Sequence, residues 1–240
     1  MSPPPGTVDL WSLRAGPGNV AAARSEASVL DASEAQRAES LGPPAVRDTY
    51  LVAHVRLRQI LGRRLGLPPA EVAFAREECP RCGGRHGRPV LAGERDLGAG
   101  VHFSLSHSGD RILIAVAGSP VGVDVEAVGR KPRSGLLRRL HPEERAAVSA
   151  LPPGRREEAV LTCWVRKEAY LKGIGAGLAA GLDRTYVGTG PVFGGTEPTP
   201  AALGDWWLTA APVPPGHVGA VALRRPAGLL PLPARIRLRP

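Results

Sequence analysis

Val121-Gly122-Val123-Asp124-Val125-Glu126 is the stretch whose reading decides the fold. As a strand it sends Val121, Val123 and Val125 to one face and Asp124 and Glu126 to the other, because side chains alternate along extended backbone. The two acids can then grip one cation together. About forty residues later comes Trp164-Val165-Arg166-Lys167-Glu168, followed by Lys172. On a helix Trp164, Glu168 and Lys172 are spaced by four and form one stripe. Glu168 then supplies a third carboxylate and Lys172 an ammonium. Three carboxylate oxygens suit Mg²⁺, a hard cation usually completed by substrate phosphates, and a lysine one turn beyond such a ligand is placed to neutralise a phosphate.

Around this pairing, Val101 to Leu105, Ile112 to Ala117 and Val121 to Val125 read as short strands, separated by the turn residues Ser108-Gly109-Asp110 and Gly118-Ser119-Pro120. Ala45 to Leu65 has apolar residues near a helical repeat and is stopped by Gly66, Pro68 and Pro69. Leu136 to Leu140 and Pro142 to Leu151 read as a helical pair. Pro152-Pro153-Gly154 breaks the pattern, and a helix runs from Arg156 to Lys172. Strand-like pieces follow at Thr185 to Val187, Trp206 to Ala211, Val218 to Leu223 and Ile236 to Leu238. The first eighteen residues and Cys79 to Gly100 read as irregular. Each half gives helix first and strands after, which points to two similar α+β halves without evident sequence identity.

The 240 residues are 43% hydrophobic, enough to bury a core. The chain has no apolar stretch of about twenty residues and no secretion signal at its start, which predicts a cytoplasmic protein. Three cysteines, Cys79, Cys82 and Cys163, are an odd number for a disulfide framework. Cys79-x-x-Cys82 with His86 makes half a zinc knuckle, but no second ligand pair of matching spacing follows. A net charge of +9 favours polyanionic partners. Lys131, Lys167 and Lys172 are the only lysines, and two of them fall in one motif.

Ser104-Leu105-Ser106-His107-Ser108-Gly109, placed after a strand, offers hydroxyls, backbone N–H groups and an imidazole to an anion. Neighbours in sequence lack the geometry of a nucleophile and its base, and G-x-S-x-G is absent. There is no G-x-x-x-x-G-K-[ST], and Gly173-x-Gly175-x-Gly177 follows a helix where a dinucleotide loop would precede one. A metal-dependent nuclease shares these ingredients. A basic nucleic-acid-binding module is disfavoured by an aromatic content of only 4%.

Phe103-Ser104-Leu105-Ser106-His107-Ser108, Gly122 to Glu126, and Trp164 to Lys172 with Gly175-x-Gly177-Leu178 resemble, in order and spacing, the three signature segments of surfactin-type 4′-phosphopantetheinyl transferases. His86-Gly87-Arg88-Pro89 resembles a fourth. Together they cover about the middle hundred residues.

The resemblance implies an α+β fold of two similar α/β lobes related by a pseudo-twofold, each with a small antiparallel sheet packed on a long helix. Residues 1–119 would form the lobe that takes the nucleotide end of coenzyme A, and 120–240 the lobe with the metal ligands and catalytic helix. The implied reaction moves phosphopantetheine from coenzyme A to a serine of an acidic, apo acyl or peptidyl carrier protein, releasing 3′,5′-ADP. The expected enzyme is a monomer without nucleic-acid or membrane partners.

By that pattern Asp124, Glu126 and Glu168 hold Mg²⁺, Lys172 touches the phosphate under attack, and Glu168 is the candidate base. Arg88, Pro89, Ser106 and His107 line the nucleotide end, and Lys167 and Lys172 count among the coenzyme A contacts. The family has basic residues near the positions of Ser40 and Thr49, so Arg47, with Arg37, is expected to take over the 3′-phosphate. Glu144 matches a further acidic position and either orients a metal water or is a helix first-turn carboxylate. Arg138, Arg139 and Arg145, with Leu136 and Leu140 as exposed apolar neighbours, are the expected carrier-docking surface.

Overall fold

The computed structural model describes residues 3–85, 87–93, 100–129, 135–177, 181–189, 202–225, 228 and 234–240. In chain order the elements are β1 (Thr7–Arg14), α1 (Pro17–Ser25), α2 (Ala32–Ser40), α3 (Pro44–Leu65), β2 (Phe74–Arg76), β3 (Pro89–Leu91), β4 (His102–Ser108), β5 (Arg111–Ala117), β6 (Val121–Ala127), α4 (Pro142–Ala150), α5 (Pro153–Ile174), β7 (Ala202–Leu203), β8 (Trp206–Ala210), β9 (His217–Arg224) and β10 (Arg235–Arg239). The strands form two four-stranded sheets, β10-β1-β5-β4 and β6-β9-β8-β7, plus the hairpin β2-β3. Every pairing is antiparallel except β1 with β10.

Burial orders these pieces into four layers: helix, sheet, sheet, helix. Val52, Val55 and Ile60 of α3 pack with Phe103, Ile112, Ile114 and Val116 on one face of the first sheet. The other face, through Val8, Leu10, Leu113 and Ala115, meets Val121, Val123, Val125, Val221 and Leu223 of the second sheet. Val165 and Ala169 of α5 close the second sheet over Trp206, Leu208, Ala220 and Ala222. A Cβ on Gly122 would lie 1.9 Å from the Ala169 carbonyl oxygen, so β6 and α5 touch backbone to backbone.

The two halves repeat one plan. After the leading strand (β1 or β6), and in the first half after the extra helix α1, comes a nine-residue helix with a capping box, then a 22-residue helix that starts at proline and ends on a left-handed glycine, Gly66 or Gly175. A hairpin follows, giving the orders β1-β5-β4 and β6-β9-β8. In each half the capping-box glutamate is buried against a cation of the long helix: Glu34 accepts from Arg58 Nε at 2.6 Å, and Glu144 pairs with Lys167 at 2.8 Å.

Several expectations change. The stretch read as loose holds a strand from Thr7 to Arg14: β1 is an interior strand of its sheet, and Val8, Asp9 and Leu10 are fully buried. Within the stretch read as a loop, Pro89–Leu91 is a strand, β3, paired with β2 just before that stretch. Pro153 starts α5, three residues before Arg156, because proline is tolerated in a first helical turn. Residues 185–187 form no ladder. Their backbone groups bond to side chains instead, Lys167 to the Thr185 carbonyl, Glu144 from the Val187 N–H and Arg166 to the Val187 carbonyl. No described helix is long and apolar enough to cross a membrane.

Asp9 closes the molecule. Its buried carboxylate accepts from Arg64 of α3, from Arg237 at 2.7 Å and from Arg239 at 3.0 Å, both of β10. Burial pushes its pKa up, but the arginines outweigh burial and hold it below the ordinary 3.8. Asp9→Asn, which takes the shared counter-charge from three partly exposed arginines, should cost about 1–2 kcal/mol in urea unfolding at pH 7. For a carboxylate with a depressed native pKa, the stabilisation exists above the unfolded value and fades as pH falls through the native one. The gap between wild type and variant should therefore narrow below pH 3.8.

Candidate active site

The site lies where β4, an edge strand of the first sheet, runs beside β6, an edge strand of the second. No backbone ladder joins them. Ser104, Ser106 and Ser108 recur with period two on the face of β4 turned to the second sheet. Their hydroxyls accept the N–H groups of Val123 (3.0 Å), Val125 (3.4 Å) and Ala127 (3.2 Å). β4 runs on to Ser108 and turns through Gly109 (φ 63°) and Asp110. The segment read as an anion loop is therefore strand, paired in register with β5 from His102 to Ser108. The serine period was legible, but only the second sheet's position gives it meaning.

The same hydroxyls orient the acids. Ser106 donates to Asp124 Oδ1 at 2.7 Å, and Ser108 donates to Glu126 Oε2 at 2.8 Å. From α5, Lys172 Nζ reaches Asp124 Oδ1 at 2.7 Å, Ser106 Oγ at 3.0 Å and the Val123 carbonyl at 3.2 Å. Glu168, one turn earlier, is pushed up to about 7 by burial and by the negative charges of Asp124 and Glu126, against the pull of Lys172. Asp124 is also raised, by burial first and despite Lys172. Asp124 Oδ2 and Glu168 Oε1 are buried acceptors with no hydrogen-bond donor.

Among the described residues no group of three His, Cys, Asp or Glu side chains converges as a metal cage. The expected three-acid grip is thus not formed. The two orphaned oxygens nevertheless fit a hard cation held by one or two carboxylates and completed by phosphate.

A cleft opens beside these groups. Its inner part, about 310 Å³, is lined by Arg88, Pro89, Ser104, Leu105, Lys172 and Gly175. An adjoining hollow of about 660 Å³ shares Arg76, Pro89, Phe103 and Leu105 with it and extends to Arg37, Tyr50 and His54. Tyr50 stacks on His54 at 3.9 Å, and Arg58 lies 5.1 Å over the Phe74 ring. Arg88 forks onto Glu77 and donates to the Gly173 carbonyl at 2.8 Å, tying the β2-β3 hairpin to the end of α5.

Of the expected residues, Asp124, Glu168, Lys172 and Ser106 come together, Glu126 is held beside them, and Arg88 and Pro89 line the cleft. His107 is exposed on β4, on the face that Phe103 and Leu105 share. Lys167 is a correction: it is 1% exposed and spent on Glu144 and the Thr185 carbonyl, so it is not a cleft residue. Glu144, fully buried, is a scaffold acid that caps α4 and holds the Val187 and Gly188 N–H groups, not a residue facing a metal.

Arg47 donates to the Leu41 carbonyl at 3.2 Å in the exposed first turn of α3, and Arg37, not Arg47, lines the hollow. Ser40 bonds the Arg37 carbonyl, and Thr49 is buried, bonding the Ala45 and Gly109 carbonyls. Leu140 is not exposed but packs against Val148, Ala159 and Cys163. His86 and Leu178 lie outside the described residues.

Residues 120–192 match the 4′-phosphopantetheinyl transferase superfamily. The chain is 32% identical over 203 residues to a 4′-phosphopantetheinyl transferase, HetI, of Nostoc sp., covering 82% of this chain and 79% of that protein. It is 29% identical over 133 residues to a 4′-phosphopantetheinyl transferase of Bacillus subtilis and 25% identical over 133 residues to the Sfp protein of the same species; each match covers 55% of this chain and 54% of the relative. The long match to the Nostoc protein runs well beyond the region of the signature segments, and the chain belongs to the 4′-phosphopantetheinyl transferase superfamily.

Proposed function

We propose that the chain transfers the 4′-phosphopantetheine group from coenzyme A to a serine hydroxyl of an apo acyl or peptidyl carrier protein, with Mg²⁺, releasing 3′,5′-ADP. The observation that carries this reading is the Asp124–Lys172 pair with a half-buried Glu168 at about 7, set where Lys172 lines a cleft. A group near 7 is matched to proton transfer at neutral pH. Glu168 accepts the serine proton as the hydroxyl oxygen attacks phosphorus, and the bond from that phosphorus to the 3′,5′-ADP oxygen breaks. Lys172, held by Asp124, Ser106 and the Val123 carbonyl, lines the cleft and sets its positive charge against the phosphate oxygens as charge shifts onto them. Bound Mg²⁺ would add charge neutralisation at the pyrophosphate. Asp124 and Glu168 would hold it through their orphaned oxygens, with Glu126 beside them.

The lobe 1–119 takes the nucleotide end in the larger hollow, with Arg37 on the 3′-phosphate, and the lobe 120–240 supplies the acids and Lys172. The carrier, acidic along its docking helix, meets exposed Arg138, Arg139 and Arg145, in line with the net charge of +9. The enzyme acts as a cytoplasmic monomer in this reading.

Incubating an apo carrier protein with the chain, coenzyme A and Mg²⁺ should add one phosphopantetheine to the carrier's intact mass. Chelation of the metal, Asp124→Ala or Glu168→Ala should abolish the gain. Arg37→Ala should raise KM for coenzyme A about tenfold, the loss of one charge-assisted hydrogen bond, and Arg47→Ala should leave it unchanged. A carrier that stays apo under all conditions overturns the reading.

Glu168 also allows a test without turnover. An acid whose native pKa is raised from 4.5 to about 7 loses stabilisation as pH climbs between those values. At pH 8 Glu168→Gln should therefore raise the stability of the ligand-free protein by about 1–2 kcal/mol, discounted for partial exposure. Added Mg²⁺ with coenzyme A should raise the melting temperature of wild type more than that of the variant.

A further inference from the structure

Cys79 and Cys82 take no part in the chemistry above, yet they occupy a built position. Pro80 and Arg81 form the turn between them, with proline preset for the first central place. The Cys79 N–H donates to the Gly84 carbonyl at 2.8 Å, and the Gly83 N–H donates back to the Cys79 carbonyl at 2.8 Å, so the loop is closed on itself. Cys79 is buried while Cys82 is exposed, and neither is in a disulfide. The turn sets the Cys82 side chain against the Cys79 thiol. The backbone N–H groups of Arg81 and then Cys82 lower the pKa of Cys79, with the Arg81 charge adding to the effect. This environment stabilises a thiolate next to a second, accessible sulfur. Cys163 is the opposite case: buried, with its thiol pushed up to about 12 by burial and by Glu144.

We propose that Cys79 and Cys82 are a reversible dithiol–disulfide pair at the tip of the β2-β3 hairpin. The step is thiol–disulfide exchange with a low-molecular-weight disulfide. The exposed Cys82 thiolate attacks one sulfur of the small disulfide and releases one small thiol. The Cys79 thiolate then attacks Cys82 in the mixed disulfide, forming the Cys79–Cys82 bond and releasing the second small thiol. Two protein thiols are oxidised, one small disulfide is reduced to two thiols, and the two protein protons leave with them.

The loop is wired to the cleft. Between it and the strands lie Glu77 and Arg88, joined by Glu77 N–H to the Arg88 carbonyl (3.1 Å) and by the two-pronged ion pair, and Arg88 reaches the Gly173 carbonyl at the end of α5. Locking the loop by a disulfide therefore acts on the wall formed by Gly87, Arg88 and Pro89.

The test equilibrates the full chain in glutathione buffers of increasing oxidised fraction, quenches by alkylation and maps peptides by mass. The pair should lose both alkylation sites together and two hydrogens of mass, regain them on return to reduced glutathione, and leave Cys163 alkylatable only after unfolding. In Cys79→Ser the product should instead be a stable glutathione adduct on Cys82. Adduct on Cys82 in the wild type with no internal bond, or no reaction at either thiol, overturns the proposal. So does purified protein that carries one equivalent of zinc and resists alkylation at both thiols until a chelator is added. A KM for coenzyme A that shifts between the two redox forms would carry the switch into the cleft, and an identical KM would overturn the coupling through Arg88.

Discussion

Two sheet edges that meet without a backbone ladder set the terms for this molecule. An edge strand presents unpaired N–H groups, and burying them unbonded costs free energy comparable to lost hydrogen bonds. Here Ser104, Ser106 and Ser108 answer Val123, Val125 and Ala127 one for one. The strands are thereby fixed in register through side chains, and the register decides which acid each serine touches. Ser106 meets Asp124 and Ser108 meets Glu126 because the period of two is shared. The backbone contact of Gly122 with Ala169 then sets α5 at the height where Lys172 reaches Asp124.

The repeat within the chain explains why only one lobe carries such a site. Asp9 on β1 occupies the place that Asp124 holds on β6, on the face turned to the lobe's long helix, and each is met by a cation near that helix's end, Arg64 or Lys172. From the far end of the chain, beyond the first lobe's own residues, β10 joins the sheet of β1 and adds Arg237 and Arg239, and the acid is fully enclosed. In the second, the acid keeps a buried oxygen without a donor, and Lys172 opens on the cleft. The same plan has become a clamp in one half and reactive in the other. The capping-box acids Glu34 and Glu144 remain structural in both, each neutralised by a buried cation so that no isolated charge is left inside.

What was legible in the sequence was periodic. Alternation at Val121 to Glu126 and the spacing of Trp164, Glu168 and Lys172 marked the site, and Gly66 with Pro68 and Pro69 marked the end of the first long helix. What escaped was set by distant partners. β1 follows a run of prolines and gains its ladder from β5 and β10, far along the chain. Lys167 adjoins Glu168 in sequence, but one residue turns a helix by about 100°, which aims it at Glu144 and away from the cleft. Arg37 and Arg47 could not be told apart by spacing, since the position of α2 decides which one meets the hollow. Thr185 to Val187 had strand composition, but buried side chains took the place of a neighbouring strand.

The seam is tested most directly by amide hydrogen exchange at Val123, Val125 and Ala127. Edge amides bonded to serine hydroxyls should exchange slowly in the wild type, and Ser104→Ala, Ser106→Ala and Ser108→Ala should each speed exchange mainly at the partner amide. Fast exchange at all three amides in the wild type, or single variants that leave every amide unchanged, would contradict this account.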